Sequence, residues 1–93
     1  MVATVLLSPS LQPFAAGRRE HEVAGRDVGE LLARLAERFP PLRERLFHET
    51  GGLRGYLVVL IEDQDIRALG GLAAPVPPDA VVTILPAVAG GWS

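Results

Sequence analysis

The strongest local pattern in this 93-residue chain is a single amphipathic helix. Asp27 is a favourable N-cap, and Glu30 follows three residues later, which is the spacing of a capping box, so the helix should begin at Val28. Apolar residues then recur every three or four positions as far as Phe39 and form one stripe. Prolines at positions 40 and 41 end the helix. One such helix covers one face of one sheet, so the remaining chain must supply that sheet.

Short apolar runs on both sides of the helix predict the strands. They span residues 2–7 and, with a weaker pattern, 18–24 before the helix, then 56–61, a short edge strand at 66–67, and 80–85 after it. The run at 56–61 is apolar throughout, which is typical of a central strand. Pro86 should end the ladder pairing of the last strand, because proline has no amide hydrogen.

The element order is strand, strand, helix, strand, short strand, strand. It predicts an α+β chain with the β-grasp, or ubiquitin-like, plan: a mixed four- to five-stranded sheet with one main amphipathic helix packed on one face. We expect the β-grasp domain to span residues 1–86, and residues 87–93 to form a flexible C-terminal tail with a diglycine.

Composition excludes several classes of function. Cysteine is absent, which removes disulfides, thiolate metal sites and cysteine nucleophiles. The net charge is −2 and all nine basic residues are arginine, so the chain lacks the basic surface expected of a nucleic-acid-binding protein. No apolar run approaches the roughly 18 residues of a membrane span, and no basic residue precedes Arg18, as a secretory signal would require. We therefore expect a cytoplasmic protein that does not bind membranes.

The common catalytic patterns are also missing. None of the three serines lies in a Gly-x-Ser-x-Gly motif, and the two histidines lack the spacing of a zinc site. We interpret His21 and His48 as ordinary surface or loop residues. The acidic residues Glu62, Asp63 and Asp65 are interpreted as a solvated turn. The sequence therefore predicts no catalytic residue and no metal site in the chain itself.

The end of the chain offers a different chemistry. Gly90 and Gly91 form a pair, followed by Trp92 and Ser93. Paired glycines have no side chain beyond Cα, so they fit a narrow tunnel and adopt dihedral angles that other residues avoid. Taken alone, the same pair is also typical of a frayed terminus.

The tail carries a family resemblance. Its residues Pro86-Ala87-Val88-Ala89-Gly90-Gly91 resemble the ending of the MoaD/ThiS family of ubiquitin-like sulfur carriers, whose molybdopterin branch commonly ends Pro-Pro-Val-x-Gly-Gly. Ala87 departs from that pattern. Within the family, the chain looks most like the branch that supplies sulfur for cysteine biosynthesis, on the segments Asp65-Ile66-Arg67, Gly70-Gly71-Leu72, Asp79 and 82–91.

The resemblance implies a carrier rather than an enzyme. An E1-like adenylyltransferase would activate the carboxylate of Gly91 and exchange AMP for sulfur, which leaves a thiocarboxylate. The tail residues Pro86, Val88, Ala89 and Gly90 would be recognised by that enzyme. In the cysteine branch the acceptor is a PLP-dependent cysteine synthase, and a JAMM-type zinc metallopeptidase releases the product. The chain itself would bind no cofactor, because ATP and Mg²⁺ are used by the activating enzyme.

Gly91 is not the last residue, since Trp92 and Ser93 hold its carboxyl group in a peptide bond. We interpret these two residues as a removable extension of a precursor that a JAMM-type peptidase trims. The alternatives are an artificial remnant and a chain that is never activated.

Other functions stay open at the level of sequence. Within the family, the chain fits a small subunit of molybdopterin synthase, with the large subunit as acceptor, or a thiamin sulfur carrier. It also fits a protein modifier that is conjugated through Gly91, or a β-grasp interaction module whose tail is unused. We expect partners to dock on the exposed sheet face and at the root of the tail. Leu60, Ile61 and Leu85 fit either the core or that face, and Arg54 and Arg67 are interpreted as solvated surface.

Overall fold

The structure is a computed structural model, and it describes residues 2–87. Its strands are β1 (Val2–Leu7), β2 (Glu20–Ala24), β3 (Leu57–Ile61), β4 (Gln64–Asp65) and β5 (Val81–Pro86), and its α-helices are α1 (Val28–Arg38) and α2 (Pro40–Leu46). Single 3₁₀ turns lie at Gln12–Phe14, Ile66–Ala68 and Gly71–Ala73. The domain boundary predicted between residues 86 and 87 stays a prediction, because the tail lies outside the described residues.

The five strands form one mixed sheet in the order β2-β1-β5-β3-β4. β1 and β5 run parallel in its middle, and the other neighbours are antiparallel. β3 pairs with β5 on one side and β4 on the other, so it is an interior strand, as its apolar run indicated. The β-grasp prediction of a mixed sheet covered by a main helix is confirmed.

The predicted cap of α1 is present with one difference in its partners. The Asp27 Oδ1 atom accepts a hydrogen bond from the Glu30 amide at 2.8 Å. The return bond runs from the Arg26 amide to Glu30 Oε1 at 2.9 Å, one residue earlier than in a standard capping box. The Glu30 carboxylate is engaged there, and it forms no ion pair with Arg34, four residues later, within residues 2–87.

The proline pair both ends α1 and begins the next helix. Phe39 caps α1, and the prolines then occupy the first two positions of α2, where a missing amide hydrogen costs nothing. The segment from the prolines onward thus forms a second helix of seven residues. It buries Leu42 and Leu46 and extends the cover over the sheet.

The core lies between the two helices and one face of the sheet. The helices contribute Val28, Leu31, Leu32, Leu35, Ala36, Leu42 and Leu46, and the strands contribute Ala3, Val5, Leu7, Val23, Leu57, Val59, Ile61, Val82 and Ile84. Burial alternates along β1, β3 and β5, since successive side chains of a strand point to opposite faces. Ile61 is therefore a core residue, which its sequence context left open.

The short edge strand lies two residues earlier than predicted. We expected residues 66–67, but β4 is Gln64–Asp65, and Ile66 begins a 3₁₀ turn with its side chain buried. The reason is the turn after β3. Glu62 adopts φ +56°, a left-handed conformation unusual for a residue with a side chain, and Ile61 pairs directly with Gln64. This two-residue turn is shorter than the one that the acidic run suggested.

His21 is a buried residue, and its interpretation as a surface residue is wrong. It lies on the inner face of β2 and is 5% exposed. Its Nε2 atom lies 3.0 Å from the carbonyl oxygen of Arg18, and its ring meets that of Phe39 edge-on with 5.0 Å between centroids. The alternation of β2 forces this position, because Glu20 and Glu22 occupy the outer face. His48, by contrast, lies in the loop after α2, as predicted.

Replacing Asp27 by alanine removes the acceptor for the Glu30 amide and should lower the free energy of unfolding by about 1 kcal/mol. Urea denaturation measures the change. Asp63→Ala is the matched control, because Asp63 is exposed in a turn and makes no side-chain hydrogen bond within the described chain. Equal stability of the two variants would contradict the capping assignment.

Candidate functional site

The predicted tail residues fall mostly outside the part of the chain that the structure describes. Val88, Ala89, Gly90, Gly91, Trp92 and Ser93 all lie beyond residue 87, so their proposed roles stay predictions. Pro86 and Ala87 are described, and they show how the chain leaves the sheet. We call residues 85–87, together with the opposing Tyr56, the tail root.

Pro86 does not end the pairing of β5, contrary to prediction. It lies opposite Leu57 within the strand, and the amide of Ala87 donates a further hydrogen bond to the carbonyl oxygen of Tyr56. Because successive amides of a strand point to opposite neighbours, the Ala87 bond places the Pro86 nitrogen on the side of β1. The missing amide hydrogen thus takes nothing from the ladder with β3.

On the β1 side, no backbone acceptor of the described chain is left unpaired opposite the Pro86 nitrogen. The last bond between the two strands runs from the Ser8 amide to the Ile84 oxygen at 3.0 Å. The Ser8 carbonyl then accepts from the amides of Leu11 and Gln12 in the next turn. At the tail root β5 is therefore held by β3 alone, and its other edge carries a proline.

The sheet face opposite the helices carries a group of half-buried side chains. We call Leu6, Val58, Leu60, Thr83 and Leu85 the open-face patch. Leu85 lies directly opposite Val58, and Thr83 lies between Leu6 and Leu60. Leu60 and Leu85, whose faces were undetermined from the sequence, both belong to this patch. It extends along β5 to the tail root.

Carboxylates border the patch at both edges of the sheet. Glu20 pairs with Leu6, and Asp65 pairs with Leu60, so the row across the sheet that contains Thr83 has a carboxylate at each end. Arg67, expected to be solvated, forms an ion pair with Asp65 at 2.6 Å while remaining 76% exposed. The side-chain hydrogen bond from Arg67 lowers the pKa of Asp65 below its usual range. A partner for this face should offer apolar side chains with a basic residue opposite Glu20.

Glu62 has a structural task that the interpretation as a solvated turn missed. Its amide donates to the Val81 oxygen at 2.8 Å, and its Oε2 accepts from the Val81 amide at 2.6 Å. The side chain thereby completes the pairing of β3 and β5 at the end away from the tail. Within residues 2–87, no group of three or more acidic, histidine or cysteine residues is placed to hold a metal ion.

Arg54 also has a structural task instead of facing solvent alone. Its Nε donates to the Glu44 oxygen at 2.6 Å, and its amide donates to the Leu46 oxygen at 2.9 Å. These bonds fasten the segment before β3 onto α2.

Neither helix of the described chain is long and apolar enough to cross a bilayer.

Sequence reasoning missed three residues beside the tail root. The Tyr56 hydroxyl donates to the Arg45 carbonyl oxygen at 3.2 Å, and the Arg45 guanidinium carbon lies 4.2 Å from the centroid of the Phe14 ring. These residues come from three segments that are far apart in the sequence, so no spacing in the sequence links them. The one available signal was Tyr56, the only tyrosine, placed just before a strand.

Comparison with known proteins identifies the class. The model of the ThiS family matches residues 5–91, and the chain belongs to this family. The match includes Gly90 and Gly91 and stops before Trp92.

The individual relatives agree with the predicted branch. The sulfur carrier protein CysO of Mycobacterium tuberculosis is 33% identical over 93 residues, which cover 98% of this chain and 100% of that protein. The crystal structure of the Amycolatopsis orientalis BexX/CysO complex matches with a TM-score of 0.87 and 35% identity, covering 96% of this chain and 99% of the matched chain. The small archaeal modifier protein 1 of Methanosarcina acetivorans matches with a TM-score of 0.86 and 30% identity, covering 97% and 96%. The predicted family and fold are confirmed.

Two neighbouring residues test the assignment of the two sheet faces. Ile84 is fully buried, so Ile84→Ala should cost about 2–5 kcal/mol of unfolding free energy. Leu85 is half-buried on the open face, so Leu85→Ala should cost about 1 kcal/mol. Urea denaturation of both variants measures the difference. Equal losses would show that the two faces are not distinguished as described.

Proposed function

We propose that this protein is a sulfur carrier that acts through the carboxyl group of Gly91 after Trp92 and Ser93 are removed. The observation that carries the proposal is the similarity to the sulfur carrier CysO along nearly the whole chain, with a family match that includes the diglycine. The fold agrees with this role, because β5 is the middle strand of the sheet and ends at Pro86, shortly before Gly91 in the sequence.

The chemistry requires two steps at one carbon atom. A Gly91 carboxylate oxygen attacks the α-phosphorus of ATP, pyrophosphate leaves, and an acyl-adenylate forms. Hydrosulfide then attacks the acyl carbon and AMP leaves with the electron pair of the broken C–O bond, so that the product, after losing the proton on sulfur, is the thiocarboxylate. An E1-like adenylyltransferase supplies ATP, Mg²⁺ and the catalytic groups. The chain contributes the acyl group and, having neither cysteine nor lysine, offers no internal thiol or ε-amine to intercept it.

The chain therefore acts as a substrate of other proteins and not as a catalyst. As partners we propose the E1-like enzyme, a JAMM-type zinc metallopeptidase that removes Trp92 and Ser93, and a PLP-dependent cysteine synthase as sulfur acceptor, all in the cytoplasm. The Amycolatopsis relative is a CysO in complex with BexX, which supports a carrier that works by docking onto other proteins. Molybdopterin synthase and thiamin synthesis are the alternative destinations, and copurification of the acceptor distinguishes them.

The open-face patch is the proposed docking surface for the activating enzyme. Its apolar side chains are half-exposed, and they adjoin the tail root through Leu85. Burying such a patch supplies affinity, while Pro86 restrains the backbone from which the tail continues. Leu85→Ala, which keeps most of the stability, should therefore weaken binding to the activating enzyme.

The proposal is tested by the intact mass of the protein. After incubation with the peptidase, the E1-like enzyme, ATP and a sulfur donor, we expect loss of Trp92 and Ser93, followed by the mass change of one oxygen replaced by sulfur. A chain ending at Gly91 should react without the peptidase, and the same chain with Gly91→Ala is the matched control for recognition of the terminal glycine. Retention of Trp92 and Ser93, or their loss without sulfur incorporation, would refute the proposal.

A protein modifier is the second candidate, favoured by the similarity to a small archaeal modifier protein at 30% identity. In that case the activated Gly91 would form isopeptide bonds with lysines of other proteins. Immunoblots of cells should then show a ladder of conjugates that deletion of Gly90 and Gly91 abolishes. A single band together with a thiocarboxylate mass would contradict the modifier function and support the carrier function.

A further inference from the structure

One arginine beside the tail root is held in a defined position. Arg45 lies in the last turn of α2, and its guanidinium carbon is 4.2 Å from the centroid of the Phe14 ring. Stacking of this kind occupies one face of the planar guanidinium and leaves its edge, with the N–H donors, free for a ligand. We call Phe14, Arg45 and Tyr56 the Arg45 bracket.

Tyr56 connects the Arg45 bracket to the tail root, because its side chain contacts Arg45 and its backbone contacts Ala87. The Tyr56 hydroxyl donates to the backbone oxygen of Arg45, and the Tyr56 backbone oxygen accepts from the amide of Ala87. Tyr56 is 45% exposed, so this connection runs along the surface. The backbone of Arg45 is therefore linked to the tail root through a single residue, Tyr56.

Three other arginines of the described chain are engaged through their side chains, whereas Arg18, Arg19, Arg26, Arg34 and Arg43 have no side-chain partner there. Arg45 is distinguished from those five by its contact with the Phe14 ring. Arg54 donates to the Glu44 oxygen, Arg38 donates to the Glu22 oxygen, and Arg67 pairs with Asp65. Within residues 2–87, the Arg45 guanidinium makes neither an ion pair nor a hydrogen bond, although it is exposed and stacked. Its donors are thus available to a planar anion from outside the domain.

We propose that Arg45 is a specificity-determining contact that pairs with an aspartate or glutamate side chain of the activating enzyme, beside the entrance that admits the tail. A carboxylate matches the two-pronged edge of a guanidinium, and the stack fixes the direction from which it approaches. This inference rests on the proposed function and names one contact of that same docking event.

The charges of the domain also select one orientation on the enzyme. The open-face patch is bordered by Glu20 at one edge and by the Asp65–Arg67 ion pair at the other, whereas the Arg45 bracket presents a positive charge that is unpaired within the described chain. A partner with a basic residue opposite Glu20 and a carboxylate opposite Arg45 therefore favours one orientation of the domain.

The test is the affinity of the full chain for its cognate E1-like enzyme, measured at low and high salt. Arg45→Glu should weaken binding at low salt at least tenfold and reduce its salt dependence. Arg45→Lys should weaken it about threefold, because the charge remains while the two-pronged edge and the stack are lost. Arg43→Glu, the same charge change two residues earlier on α2, is the matched control and should change the affinity less than twofold.

A second measurement separates docking from folding. In ATP–pyrophosphate exchange with the peptidase-processed chain, Arg45→Glu should raise KM at least tenfold and leave kcat within twofold, since the contact acts before the chemistry. Phe14→Leu, which keeps an apolar side chain but removes the stack, should raise KM severalfold. If Arg45→Glu fails to fold, as its thermal melt would show, Arg45→Gln carries the test, with about a tenfold loss expected.

The outcomes separate the two proposals. Normal activation of the peptidase-processed wild-type chain, with Arg45→Glu and Arg43→Glu giving the same affinity and KM, overturns the role of Arg45 and leaves the carrier function intact. Failure of the enzyme to bind and activate the processed wild-type chain overturns the proposed function and this inference with it.

Discussion

The parallel pairing of β1 with β5 is the interaction on which the rest of this domain depends. Parallel neighbours need a long connection, and here everything between residues 7 and 81 is that connection. The helices must cross one face on the way, while β2 and β3 pair outward on either side. The final strand therefore occupies the middle of the sheet, fully supported along most of its length. The central position of β5 thus gives the tail root a base that is hydrogen-bonded to neighbouring strands on both sides along most of its length.

The sequence predicted most of the fold because its signals were local. Asp27 and Glu30 define the start of α1, and the proline pair defines its end through steric exclusion alone. The position of β4 was missed because it depends on the left-handed backbone of Glu62, a conformation that the residue type does not announce. His21 was misplaced because polar character was weighed above strand alternation.

The candidate site likewise has one part that the sequence predicted and another part that required the structure. The glycine pair was found through its resemblance to a family, and neither packing nor periodicity points to its chemistry. The faces of Leu60 and Leu85 required the register between strands, since a shift of one residue would exchange the core and open faces. The Arg45 bracket required three elements to meet in space, and neither spacing nor composition carries that information. Contacts between distant segments are what the structure adds to the sequence.

The position of Pro86 has a consequence for the state of the protein between partners. Where β1 ends, β5 has one unpaired edge, and such an edge ordinarily invites a strand from another molecule. A strand from another molecule would meet the pyrrolidine ring of Pro86 instead of a hydrogen-bond donor, so the addition of a strand to the sheet is disfavoured there. Pro86 therefore takes a hydrogen-bond donor away from the one edge of β5 that the neighbouring strand leaves uncovered, a device that disfavours pairing between sheets and needs no charge.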